Sequence, residues 1–313
     1  MSAFAILSVG LDPIGALRGK EVAFDPGKIR EAQYRPFARL AYYFGDAFNE
    51  DTYQILSFFP DLNAEEENRV IWLKVGMEVP MFALATNRIP DLLSQGGSQC
   101  FPFYTYAEDG SERRENITDW TLREVQSRYG DKKISRWDIF YFVYAVLHHP
   151  HYRERYAANL RRELPRIPYA PDFRGFATAG KQLAELHVKY EQQEEYWWHR
   201  IENPKVPLSY RVEKMKLTKD KRSIIYNEFL TIDGIPPEVF EYRLGNRSAL
   251  EWVIDQYQVS TDKRSGITND PNRLDDPEYI IRLIGQVITV SLETVKIVRG
   301  LPPLEARQNG KGA

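Results

Sequence analysis

Three histidines in five residues, HHPHY (148–152), are the densest group of chemistry-bearing side chains in the sequence. Imidazoles at that spacing can converge on a metal. No Asp or Glu sits at the spacing of a zincin, however, and no supporting outer ring of groups is visible. Histidines meeting the negative pole of a helix C-terminus are the commoner explanation of such a cluster. His187 and His199 lie on or near one helix and read as structural. A phosphate-cradling loop needs glycines for backbone approach and a lysine for the terminal phosphates. GALRGKE (15–21) has the wrong spacing and places Glu21 where a metal-binding hydroxyl belongs. GFATAG (175–180) opens a helix but follows no strand, so it is no dinucleotide fingerprint. A base-amine methyltransferase needs an Asn/Asp-Pro-Pro-aromatic loop. ENPKVPLSY (202–210) has Asn203-Pro204, but Lys205 replaces the second proline and the aromatic is displaced. A metal-dependent nuclease needs Pro-Asp followed by an acid-x-Lys strand. Pro60-Asp61 and Pro90-Asp91 occur, yet RVIWLKVG (69–76) offers Ile71 or Trp72 where the acids belong. Cys100, the single cysteine, excludes an internal disulfide or a thiolate zinc cluster and reads as a buried thiol. No catalytic residue and no metal ligand is expected in this chain.

The elements around these residues indicate an ordinary soluble protein. The chain has 313 residues with 43% hydrophobic and 27% charged side chains, enough for one large domain or two. It lacks an apolar run of membrane-spanning length. No basic residue precedes the apolar stretch near the N-terminus, so no secretory signal is expected. The expected compartment is the cytoplasm. RVIWLKVG (69–76) and VPMFALAT (79–86) read as paired strands. CFPFYTYAEDGSE (100–112) reads as a strand that Pro102 confines to a sheet edge. Helices follow at 117–130, with Thr118 as N-cap and Gly130 as stop, and at 135–150, where Ser135 and Asp138 form a capping box. Further helices are expected at 151–164, 176–197, 247–259 with Asn246 as cap, and 277–298. Strands are expected at 210–218 and 222–232, joined by a basic turn at Lys219–Arg222. The fold class is α+β: a mixed β-sheet recognition portion packed on a helical middle, with a second strand-hairpin and helix portion at the C-terminus. The expected divisions are 1–20 as the remnant of an upstream helix or linker, 21–112, 113–200, 201–302, and a disordered tail at 303–313.

Charge is uneven on a chain of net charge −2. Residues 113–174 carry 13 Arg/Lys against 8 Asp/Glu, and residues 203–230 carry 7 against 3. Two basic segments on a near-neutral chain are what a face for phosphate needs, although solvated helix faces also hold Arg and Lys.

Four stretches, in order, resemble one family. AQYRPFARLAYYF (32–44) resembles the Tyr-Arg-Pro-Phe segment in the C-terminal specificity region of type ISP restriction-modification enzymes. ATNRIPDL (85–92) with GGSQCFPFYTY (96–106) resembles the next block. WDIFYFVYAVLHHPHYRERYAANLRRELPRIPYAPDF (137–173) is the most specific, and ALEWVIDQYQVSTDKRSGITNDPN (249–272) the last. Type ISP enzymes join a nuclease, an ATP-driven translocase, an adenine-N6 methyltransferase and a target-recognition region in one polypeptide. The chain resembles only the last of these, so it reads as a separate specificity subunit, an excised part of a longer enzyme or a truncated remnant. The resemblance implies sequence-specific recognition of double-stranded DNA, with the methyltransferase/translocase module as partner and no membrane. It also implies no cofactor in this chain: S-adenosylmethionine, ATP and Mg would belong to the other modules.

Base readout calls for Arg, Lys, Asn or Gln at base edges and basic groups along phosphates. The loop 87–99 offers Asn87, Arg88, Ser94, Gln95, Ser98 and Gln99 around a Gly-Gly tip. The loop 262–273 offers Lys263, Arg264, Asn269, Asn272 and Arg273. Lys132, Lys133 and Arg136 sit at a helix start that favours phosphate. Tyr34 and Arg35 are either DNA contacts or structural, with Arg35 held against a carboxylate. Two rival readings remain. A protein-interaction module docking on a methyltransferase or translocase would expose Ile281, Ile284 and Ile288. A nuclease would depend on His148, His149 or His151.

Overall fold

The computed structural model describes residues 24–44, 54–76, 79–91, 97–107, 109–263 and 266–305. The proposed remnant at 1–20 and most of the tail lie outside them. The chain runs through β1 (Ile29–Arg35), β2 (Ala38–Tyr43), α1 (Ile55–Phe58), α2 (Leu62–Glu67), β3 (Val70–Lys74), β4 (Phe82–Thr86), β5 (Ile89–Pro90) and β6 (Gln99–Pro102). Next come β7 (Tyr104–Thr105), β8 (Arg114–Glu115), α3 (Asp119–Tyr129), α4 (Arg136–His148), α5 (Pro150–Arg155), α6 (Ala157–Leu160) and α7 (Phe173–Val188). The last third adds β9 (His199–Glu202), β10 (Lys216–Leu217), β11 (Ser223–Ile225), β12 (Leu230–Asp233), β13 (Arg243–Leu244) and β14 (Arg247–Ser248). It ends with α8 (Ala249–Gln256), β15 (Ser260–Thr261), β16 (Thr268–Asn269) and α9 (Tyr279–Arg299). The fold is α+β, with several small, mainly antiparallel sheets.

Two compact units share these elements, and each is discontinuous in sequence. The first holds β1, β2, β5, β9–β16 and α8. The second holds β3, β4, β6–β8 and α2–α7. α9 belongs to the first as far as Glu293 and to the second beyond it. This grouping differs from the consecutive blocks 21–112, 113–200 and 201–302. Strand partners are chosen by the surface they bury, so β5 leaves its sequence neighbours and runs parallel to β1.

In the second unit β3 and β4 pair antiparallel, from Val70 opposite Thr86 to Lys74 opposite Phe82, as the two apolar, β-branched runs predict. β6 flanks β3 at the sheet edge with Pro102 opposite Val70. Every residue of β3 and β4 is buried. α3 starts at the Thr118 cap and stops at Gly130 in the left-handed region, where glycine carries no Cβ penalty. α4 starts at the Ser135–Asp138 capping box, and nearly all of Ile139–His148 is buried. Such a helix needs cover on all sides, and α7 and the sheet supply it.

A polar chain runs through this core. The Ala85 amide donates to Tyr144 Oη at 2.8 Å. Tyr144 donates to His187 Nδ1 at 2.6 Å, and His187 Nε2 donates to Thr294 Oγ1 at 2.9 Å. That sequence of donors requires the neutral Nε2–H tautomer. Burial, reinforced by nearby His148, keeps His187 neutral by pushing its pKa well down. The structural reading of His187 therefore holds. Tyr144→Phe strands both Ala85 N–H and His187 Nδ1, and should lower unfolding stability by about 1–3 kcal/mol in urea titrations.

Several expected elements are shorter than the sequence implied. The run 151–164 is two short helices, because Tyr152 and Leu160 alone are buried and cannot hold it together. Pro150 opens the first of them at its N-terminal turn rather than closing α4. α7 ends at Val188, and the acidic stretch beyond it holds only a short 3-10 turn at Tyr190–Gln192. The run 222–232 is two antiparallel strands, Ser223 opposite Asp233. Only Lys216–Leu217 of 210–218 is strand. α8 is capped by Ser248 with Glu251, not by Asn246.

Candidate nucleic-acid interface

The β1–β2 hairpin turns through Pro36-Phe37. Phe37 adopts φ 58°, a conformation rare for a bulky residue. Its buried ring meets Tyr190 edge-on at 5.1 Å and Tyr242 at 6.1 Å, which holds the strained turn. The parallel register of Ala32 with Ile89 and Gln33 with Pro90 fixes what surrounds β1. It sets Glu31 beside Arg88 and Arg35 beside Asp91. The two resulting ion pairs have opposite polarity across the same strand pair.

These pairs differ in burial. Asp91 is 1% exposed, and Arg35 also stacks 3.9 Å over the Tyr34 ring and donates to the Tyr34 carbonyl at 2.7 Å. Of the two readings offered for Tyr34 and Arg35, the geometry favours the structural one. Arg88 Nε donates to Glu31 Oε2 at 2.9 Å, with both side chains partly open to solvent. Burial opposes ionisation of Glu31, but the Arg88 hydrogen bond and the charges of Arg39, Arg88 and Arg273 outweigh it and hold the carboxyl below its usual range. Arg88 and Arg273, from two separate candidate loops, thus act on one carboxylate. Arg273 itself lies 3.3 Å over the Tyr279 ring.

Other candidates in this unit divide. Asn272 imitates a strand partner: it donates to the Val212 carbonyl at 2.8 Å and accepts from the Val212 amide at 2.8 Å. Its side chain is committed to the backbone and does not face solvent as a base reader would. Lys263 is exposed and Asn269 half-buried in β16. Ser94, Gln95 and Arg264 lie outside the described residues.

In the second unit Ser98 is buried and accepts from Trp72 Nε1 at 2.9 Å, which removes it from reach of a base. Ser98→Ala should lower stability by about 1 kcal/mol in thermal melts and leave DNA binding unchanged. Gln99 is exposed on the edge strand β6, and Asn87 is half-buried after β4. Lys132 and Lys133 are exposed, but the helix start beside them is already served. The Asp138 carboxylate accepts from the Ser135 amide at 2.8 Å and pairs with Arg174 at 3.0 Å. A phosphate there would meet a like charge. Arg136 is tied to Glu115 at 2.9 Å and to Asp119. The histidines do not converge: His148 donates from Nδ1 to the Tyr144 carbonyl, and burial pushes its pKa down to about 3. Among the described residues no three His, Cys, Asp or Glu are placed to hold a metal.

The basic segment 203–230 supplies exposed cations that the individual site candidates did not include. The sheet ordered β10-β11-β12-β9 buries Ile224, Leu230 and Ile232 on one face. Lys216, Ile225, Thr231 and Ile201 are aligned across the other. The β10–β11 tip is a tight turn in which Thr218 Oγ1 donates to Asp220 at 2.6 Å and Lys221 takes φ 59°. Lys221 pairs with Glu251 at 2.8 Å. Lys214, Lys216, Lys219 and Arg222 are exposed, and none has an ion pair among the described residues. The excess of 7 cations over 3 acids in 203–230 was the available signal.

The Type ISP C-terminal specificity domain family matches residues 12–283. Similar solved structures include the following three. A nuclease-deletion mutant of the Type ISP restriction-modification enzyme LlaGI in complex with a DNA substrate mimic is 37% identical, with a TM-score of 0.78 over 94% of this chain and 26% of that one. The DrdV–DNA complex is 39% identical, with a TM-score of 0.82 over 92% of this chain and 30% of that one. The ATP-dependent Type ISP restriction-modification enzyme LlaBIII bound to DNA is 34% identical, with a TM-score of 0.81 over 93% of this chain and 19% of that one. The chain thus spans less than a third of the length of each. No curated protein sequence matches the chain.

Proposed function

The chain belongs to the Type ISP C-terminal specificity domain family, and from that premise we propose that it recognises double-stranded DNA by sequence as the specificity part of a restriction-modification system. The β10–β11 hairpin carries the reading. Four exposed cations, Lys216 on β10, Lys214 just before it and Lys219 and Arg222 in the turn to β11, have no carboxylate partners among the described residues and form a phosphate-contacting surface. The similar structures, all complexes with DNA or a DNA mimic, support the same reading.

The chain supplies recognition and no catalytic group. S-adenosylmethionine, ATP and Mg act in the methyltransferase, translocase and nuclease modules of the longer enzyme, and that enzyme works in the cytoplasm. Among the described residues no helix is long and apolar enough to cross a membrane. The docking-module reading asked for exposed Ile281, Ile284 and Ile288, and all three are buried.

Selection from a random duplex pool at low and near-physiological salt tests the proposal. One asymmetric motif should enrich and persist at the higher salt. Salt-labile binding without a motif would reduce the chain to phosphate attraction and overturn sequence recognition.

A further inference from the structure

We propose that the open face of the β9–β12 sheet binds unpaired DNA, with Trp197 as the surface on which a base stacks. This goes beyond duplex recognition and stands apart from it. β9 is an edge strand, and side chains along a strand alternate between the two faces. Trp197, His199 and Ile201 therefore share one side, opposite to the face that buries Ile224, Leu230 and Ile232. Trp197 is 74% exposed, and the His199 ring braces it edge-on with centroids 4.5 Å apart. One imidazole covers only one face of an indole, so the other is open to a nucleobase.

The apolar surface continues across the sheet. Ile201 lies opposite Thr231, Thr231 opposite Ile225 and Ile225 opposite Lys216. Ile201 is 54% exposed and Ile225 43%. Single exposed apolar side chains are ordinary, whereas an aromatic and two isoleucines on one flat face mark a docking surface. Charge selects the occupant. Lys214 and Lys216 flank buried Met215 and so project to the open side, about 14 Å from β9 at three strand spacings. Neither has an ion pair among the described residues. Of the acids, Asp233 accepts from Ser223 Oγ at 2.5 Å, and Glu228 stands in the β11–β12 turn at the end of the sheet. An aromatic platform beside a cationic border is the arrangement that holds an unpaired strand: bases stack on the ring while phosphates follow the cations. In a duplex the base faces are covered by their neighbours, so Trp197 has no comparable contact there.

Fluorescence anisotropy with a labelled oligothymidylate, and with an abasic oligomer of equal length and charge, tests this. Trp197→Ala should bind the oligothymidylate about tenfold more weakly than wild type, and Trp197→Phe should keep most of the affinity. The abasic oligomer should bind wild type about as weakly as the oligothymidylate binds Trp197→Ala. Trp120→Ala, at a residue 69% exposed in the other unit, should change nothing. Duplex binding by Trp197→Ala should match wild type, and its circular dichroism melt should exclude loss of fold. Wild-type affinity in Trp197→Ala, or an abasic oligomer held as tightly as oligothymidylate, would reduce the face to phosphate attraction and overturn the proposal. So would a wild type that binds no oligothymidylate. If that wild type still selected a duplex motif, the duplex reading would stand while this one fell.

Discussion

Gly180→Ala should prevent the second unit from reaching its native packing. The added Cβ would sit 1.8 Å from the Tyr141 carbonyl oxygen, 2.6 Å from its carbon and 3.2 Å from the Ala145 amide nitrogen. All three are backbone atoms of α4, so no side chain can rotate out of the way. Here α4 and α7 touch backbone to backbone, and only a residue without a side chain fits between them. Overpacking that side chains can absorb costs about 1–3 kcal/mol. A displaced helix backbone should cost more than about 3 kcal/mol, from a total of roughly 5–15 kcal/mol for a domain. The thermal midpoint should fall by roughly 6–12 °C, or the cooperative transition should vanish. Gly130→Ala is the control. It has nothing within 4 Å of the added atom, so only left-handed backbone strain opposes it, a cost of about 1 kcal/mol. A Gly180→Ala melt within two degrees or so of wild type would mean that α4 and α7 do not cross as closely as described.

Gly180 also shows where sequence reasoning stops. GFATAG could be refused as a nucleotide loop because no strand precedes it, but nothing local reveals a helix crossing. Signals contained within a few residues were legible. The Thr118 cap, the Gly130 stop, the Ser135–Asp138 box and the β3–β4 hairpin all form as read. Contacts set by distant residues were not. The parallel pairing of β1 with β5 decides the surroundings of Tyr34, Arg35 and Arg88, and no pattern in either segment encodes it. Ser98 and Asn272 illustrate a second limit. A polar loop residue has the same donors and acceptors whether it reads a base or satisfies a buried group. Trp72 and Val212 claimed these two. The hairpin lysines were visible as charge. Charge alone marks the segment and does not tell which of its cations the fold leaves exposed.

Replacing Lys214, Lys216, Lys219 and Arg222 together with alanine should weaken binding to every duplex by a similar factor and leave the selected motif unchanged. Phosphate contacts fix register and affinity but carry no base identity. Each cation that neutralises a phosphate contributes about −0.9 to the slope of log affinity against log salt, so four should flatten that slope by up to about 3.6. The corresponding loss is roughly a thousandfold at 0.15 M salt and shrinks toward nothing at 1 M. Folding should be nearly untouched, because all four side chains are exposed and the hairpin is anchored by buried Ile224 and by Tyr226, which donates to the Tyr210 carbonyl at 2.8 Å. Lys221 supplies the internal comparison. Its ammonium is held by Glu251 at 2.8 Å and lies 4.9 Å from the Phe240 ring centroid, so Lys221→Ala should change the salt slope far less than any of the other four. Fluorescence anisotropy with the selected duplex across a salt series reads all of these. An unchanged slope in the fourfold variant would take the hairpin off the DNA. A lost motif with an unchanged slope would make the same ribbon a reader of bases rather than a grip on phosphates.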